Sequence, residues 1–368
     1  MASDQPSVLG VLRAAAHDAV TCDWSRSAPV AALYCLPAIL LMLIAGQFTG
    51  YPVEGLVAAG GALVVGFGAF QHLTRLRAAP MLLAAAGTSV SAAIGTMVSG
   101  IPVVEAGTAG LWGFALGLFT ALDTASWWVL LQCAIALVIA TTFPADLLHA
   151  GERAGLVLAG GATQIAVVTA LWHLFPRPFA NVGPPNQQLP PATLAEAWRR
   201  LGRTATLRSE RLLYCVALGS SVAVGVGVFR LIGLENGYWV PMTVLLVMRW
   251  GGLQVTLGRA LARGAGTLVG AGTVTVFAAF AHPAPGTVVG LGILAAWATY
   301  AVQFVNYAML SVGVTAFIVL GFALAGLPEP MVALHRVLAT LAGAAVAIAG
   351  QLAMHLLERQ AGEGRVRT

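Results

Sequence analysis

The sequence predicts an all-α integral membrane protein. About twelve transmembrane helices form two parallel six-helix repeats, with the N- and C-termini in the cytoplasm. Three observations predict this. Hydrophobic residues make up 58% of the 368-residue chain and charged residues only 9%, against about 25% charged in soluble chains. Apolar runs long enough to enter a bilayer recur from end to end. The nineteen basic residues are all arginine, and they divide unevenly. With twelve spans and internal termini, only Arg153, Arg230 and Arg336 fall on the outer side, the bias that orients membrane helices.

The elements follow in chain order. Residues 1–28 read as a cytoplasmic or interfacial helix carrying "SVLGVLRAAAHDAV". No cleavage site follows the first apolar run, so it is read as a retained membrane helix rather than a signal peptide. The first repeat, 29–175, has runs near 29–48, 52–71, 79–98, 103–121, 125–143 and 154–174. A cytoplasmic linker, 176–211, holds an amphipathic stretch. There Trp198 and Leu201 suit the lipid interface while Arg199, Arg200 and Arg203 suit phosphates or solvent. The second repeat, 212–357, has runs near 212–230, 237–249, 264–281, 286–302, 304–326 and 331–357, and a cytoplasmic tail, 358–368, ends the chain. These runs are apolar all round, as helices in lipid are.

The repeat rests on internal likeness. "RAGLVLAGGATQIA" from Arg153 aligns with "RVLATLAGAAVAIA" from Arg336, while Gly87-Thr88 aligns with Gly266-Thr267 and Tyr51 with Tyr238. A six-helix unit that starts in the cytoplasm ends there, so the two units run parallel. The second run of each half is irregular. One carries Pro52, Glu54, Gly60, Gly61, Gly66 and Gly68; the other, Gly237–Met248, carries Pro241 and spans roughly 18 Å against about 30 Å of hydrocarbon. Broken spans in matching positions are a pointer to a transport path. Small residues recur every fourth position at Gly87, Ser91 and Gly95, and at Gly258, Ala262, Gly266 and Gly270, which favours close helix approach.

The candidate chemistry is basic. Arg249, Arg259, Arg263, Arg336 and Arg153 are expected to meet an anionic substrate, since a guanidinium offers carboxylates a planar fork of donors. For Arg259 and Arg263, snorkelling to lipid headgroups is the competing reading; for Arg153 and Arg336 it is local pairing with Glu152 or Glu329. Tyr238 and Trp239 could stack on an aromatic substrate or anchor the interface. Glu54, Glu152, Glu235 and His335 are the titratable candidates for proton coupling. The four cysteines are isolated, with no Cys/His cluster, so neither a metal nor another cofactor is expected. No catalytic residue is assigned and the chain is not expected to be an enzyme: DxxxD, HExxH, GxSxG and Walker A sequences are all missing. No basic run is interleaved with aromatics, so nucleic acid is not an expected partner. The bilayer, a small organic anion and a second copy of the chain are.

Tyr238-Trp239, a short apolar helix, Arg259 and Arg263, then Gly266-Thr267 and Gly270 together resemble the fusaric acid resistance, or aromatic acid exporter, superfamily. Arg336 and Gly343 resemble its last helix. The likeness covers 210–357 best; the first half has Tyr51-Pro52 instead of Tyr-Trp and lacks the arginine pair. The resemblance implies a six-plus-six-helix fold in a bacterial cytoplasmic membrane. It implies export of organic, often aromatic, carboxylic acids by a secondary mechanism, with protons a candidate coupling ion. It also links the chain distantly to plant aluminium-activated malate channels, so an anion channel stays open as the alternative. An intramembrane lipid-handling protein or enzyme is a third, weaker one.

Overall fold

The structure is a computed structural model that describes residues 8–73, 76–175, 183, 190–191, 193–206, 209–233, 236–281, 283–326 and 329–366. Among the described residues every regular element is helical: α1 (Val8–Val20), α2 (Pro29–Leu33), α3 (Leu36–Thr49), α4 (Pro52–Gly66), α5 (Ala79–Val98), α6 (Pro102–Phe119), α7 (Thr124–Ala140), α8 (Leu147–Leu174), α9 (Leu194–Thr204), α10 (Glu210–Ile232), α11 (Trp239–Val247), α12 (Leu253–Ala281), α13 (Pro285–Val302), α14 (Tyr307–Leu324) and α15 (Glu329–Val366), with short 3₁₀ turns at Trp24–Arg26 and Phe67–Phe70.

Each of the twelve apolar runs falls on a helix. Ten helices, counting α2 and α3 as one, are long and apolar enough to cross a membrane. The other two are α7, with 17 residues, and α11, with 9. The protein is therefore a multi-pass helical membrane protein. α15 stays helical to Val366, into the segment 358–368 read as the tail. α1 packs on α12 with Ala15 fully buried, so it is docked on the bundle, not simply laid on lipid.

Prolines and caps explain the starts. Pro29, Pro37, Pro52, Pro80, Pro102 and Pro285 stand in the first turns of α2, α3, α4, α5, α6 and α13, where a missing N–H costs nothing. Asp123, Asp146, Thr193 and Asn306 cap α7, α8, α9 and α14 through their side chains. First-turn placement holds for the prolines of the two second spans, though α11 is short at 9 residues. Pro52 starts α4, and Pro241 lies in the first turn of α11, so neither interrupts a helix. α4 departs from α geometry only where it ends, at Phe67–Phe70.

The small-residue stripes do what their spacing predicts. A Cβ on Gly270 would sit 2.6 Å from the Val312 carbonyl of α14, and one on Gly95 would collide with the Leu137 carbonyl of α7. Gly160 meets the Ala58 carbonyl of α4, and Gly343 meets the Val240 carbonyl of α11. Gly258 instead faces Ala15 of α1. In a membrane, where lipid competes equally for apolar surface, such backbone-to-backbone approach is a main source of helix association.

The packing partners come in matched pairs. α5 lies against α7 and α8, as α12 lies against α14 and α15; α4 lies against α3 and α8, as α11 lies against α10 and α15. Across the halves, α6 packs on α10 and α13 packs on α2 and α3.

Candidate functional site

Four arginines converge where α11 ends and α12, α14 and α15 meet. Arg249 follows α11 directly. Its guanidinium lies 3.9 Å over the Trp127 ring of α7, and its backbone N–H donates to Thr256 Oγ1 at 3.4 Å. Arg259 donates through Nε to the Leu246 carbonyl at 3.0 Å and stacks 3.8 Å over Tyr307 of α14. Arg263 lies one turn further along α12 and is only 3% exposed. Arg336 of α15 is fully buried. It donates through Nε to Thr315 Oγ1 at 3.1 Å, with its guanidinium 3.8 Å over Trp239. Arg249 is within electrostatic reach of Arg259, Arg259 of Arg263, and Arg263 of Arg336. The four form a series.

Among the described residues the series has no carboxylate counter-ion. Ion pairs among the described residues join Asp23 to Arg26, Asp146 to His149, Glu196 to Arg200, Glu105 to Arg230 and His355 to Glu358; none reaches these four arginines. Donors stay unused as well. Both terminal nitrogens of Arg336 and the Nε atoms of Arg249 and Arg263 are buried without a hydrogen-bond partner, as are the side-chain oxygens of Thr243, Thr267, Ser311 and Gln351. An unpaired buried charge costs several kcal/mol on order of magnitude. Several in series, with unpartnered side-chain oxygens on α11, α12, α14 and α15, suit an anion. The hydroxyls are neutral and add hydrogen bonds without opposing charge.

Arg153 stands apart chemically. It is half-buried at the start of α8 and donates to Thr96 Oγ1 at 2.8 Å and to the Phe143 carbonyl at 3.0 Å. An aromatic chain nevertheless links it to the series. Its guanidinium is 5.1 Å from the Phe143 ring, Phe143 is 6.4 Å from Tyr238, and Tyr238 is 4.5 Å from Trp239, on which Arg336 stacks. Both Tyr238 and Trp239 are buried, at 3% and 2% exposure, so they are internal residues of the bundle. Of the titratable candidates, Glu54 and Glu152 are exposed and His335 is half-buried next to Arg336 in the chain. Glu235 lies outside the described residues.

Three participants escape sequence reasoning. Tyr307 and Phe143 carry no mark beyond being aromatic, and what assigns them is contact with arginines of other helices. Glu105 is fully buried, accepts the Gly100 N–H at 2.7 Å and pairs with Arg230, whose Nε donates at 2.9 Å. Its signal was a lone carboxylate in the first turn of an apolar run.

Residues 222–350 match the fusaric acid resistance protein-like family. Inner membrane protein YccS of Escherichia coli (strain K12) is 31% identical over 157 residues, which is 43% of this chain and 22% of that protein. The chain thus matches about a fifth of the length of this curated relative. No solved structure matches. The matched segment carries Arg249, Arg259, Arg263 and Arg336, and leaves Arg153 outside. The match over residues 222–350 agrees with the resemblance read from the motifs.

Proposed function

We propose that this chain is a carrier that exports organic, aromatic carboxylic anions across a bacterial inner membrane by a secondary mechanism. The observation that carries the reading is the series Arg249, Arg259, Arg263 and Arg336, the first two half-buried and the last two buried, which has no carboxylate partner among the described residues. A carboxylate would take the free guanidinium donors, and its ring would meet Trp239 and Tyr238. The matched packing pairs support two parallel six-helix repeats, which would rock about the site. Arg263 and Arg336 are closed off from solvent, so an anion enters only after a rearrangement, as a carrier requires. Of the proton-coupling candidates, His335 is the one nearest the series in sequence.

The series arrangement is the one observation favouring an anion channel instead. Flux of an aromatic carboxylate into proteoliposomes, with and without a pH gradient, separates the two. Uphill, proton-dependent movement is the expected result. Large unitary currents would replace the carrier with a channel, and flux unaffected by Arg249→Ala and Arg336→Ala would remove the site.

A further inference from the structure

We propose that the corner between α9 and α10 is a binding site for the phosphate of an anionic phospholipid. An open depression of about 500 Å³ lies there, lined by Ala121, Arg200, Arg203, Thr204, Ser209 and Arg211. Three of its six lining residues are cationic. Arg200 is committed: it pairs with Glu196 of its own helix and donates to the Leu122 carbonyl just beyond α6 at 3.0 Å, which ties α9 to the end of a membrane helix. Arg203 and Arg211 have no ion pair among the described residues. Arg211 lines the depression and lies 5.6 Å over the Trp250 ring. Ser209 adds a hydroxyl, so two guanidinia and a donor face one cavity, the chemistry that phosphate oxygens take.

Position argues for a lipid source over a free phosphate. The depression sits where α6 finishes and α10 begins, at the ends of two helices long and apolar enough to cross a membrane. On α9, Trp198 is 72% exposed and shares a face with Ala197 and Leu201, while Arg199 and Arg203 turn the other way. An exposed indole on one face and arginines on the other is the pattern of a helix lying in the interface, its cations at headgroup level. The site stands whether or not the transport reading holds.

Native mass spectrometry of the full chain in detergent tests this, with phosphatidylglycerol, phosphatidylcholine and inorganic phosphate as probes. A retained phosphatidylglycerol adduct, preferred over phosphatidylcholine, is the expected result. Arg203→Ala and Arg211→Ala should each weaken it about fivefold, the effect of one interfacial arginine, while Arg13→Ala on α1 leaves it intact. The paired lysine variant, R203K/R211K, should keep the adduct and so guards against misfolding of the alanine variants. Equal retention of both lipids would overturn the proposal. Displacement of the adduct by inorganic phosphate would also overturn it, by assigning the site to a soluble ion.

Discussion

At the scale of single residues, burial and charge pull in opposite directions, and that conflict makes predictions. Arg336 is fully buried with two free nitrogens, so it holds charge in the bundle at a cost its Thr315 bond does not offset. Replacing even a buried ion pair by apolar chains of similar volume is often neutral or stabilising by about 1–4 kcal/mol, and Arg336 has no carboxylate partner among the described residues. Arg336→Met should therefore raise or preserve the melting temperature in detergent while abolishing carboxylate flux. Arg336→Lys should keep the charge yet recover little flux, because the planar fork over Trp239 is lost. A marked fall in melting temperature for the Met variant would mean that the guanidinium is structural. Glu105 predicts the reverse. Glu105→Gln keeps an acceptor for Gly100 but leaves Arg230 unpaired. The Arg230 side chain is 35% exposed, and solvent screens it in part. The loss should be about 1–2 kcal/mol, read by thermal unfolding, with flux per folded molecule unchanged.

At the scale of elements, stability rests on close backbone approach. On Gly343 an added Cβ would meet Thr243 Cβ at 2.6 Å as well as the Val240 carbonyl. Gly343→Val must push α15 away from α11, at about 1–3 kcal/mol for overpacking. Gly60 has nothing within 4 Å of that position, and Gly60→Ala should be tolerated or slightly stabilising in the same melt, since alanine favours helix. Equal effects from both would show that the glycines act through propensity and not through contact. These stripes were legible in the sequence because four-residue spacing is a local property. So were the twelve apolar runs and the candidate arginines, since charge in an apolar context stands out anywhere. The partners were not. Arg259 and Tyr307, or Glu105 and Arg230, are brought together by helix packing that no local pattern encodes. Pro52 and Pro241 misled for a related reason: a proline signals a break only if its place within the helix is known, and here both fall in first turns.

At the scale of the whole molecule, topology turns on whether the two short helices count as crossings. By length alone α11 does not, since 9 residues rise only about 14 Å. Its neighbours argue otherwise. α11 packs on α10 and α15 as α4 packs on α3 and α8, so it is expected to count as a span, lengthened by the irregular residues on either side of it. Irregular backbone at membrane depth is tolerated where protein buries it, and Tyr238 and Met248 are buried at 3% and 1% exposure. α7 likewise occupies the place in the first half that α14 holds in the second. With both counted the crossings are even and the termini share a side; without α11 alone they are odd and the termini are opposed. Reporter fusions at each end, one active only in the cytoplasm and one only in the periplasm, decide between the two. Cytoplasmic signal from both ends is the expected outcome, in keeping with the arginine bias. Signals on opposite sides would remove α11 as a span, and with it the two-repeat arrangement on which rocking about the arginine series depends.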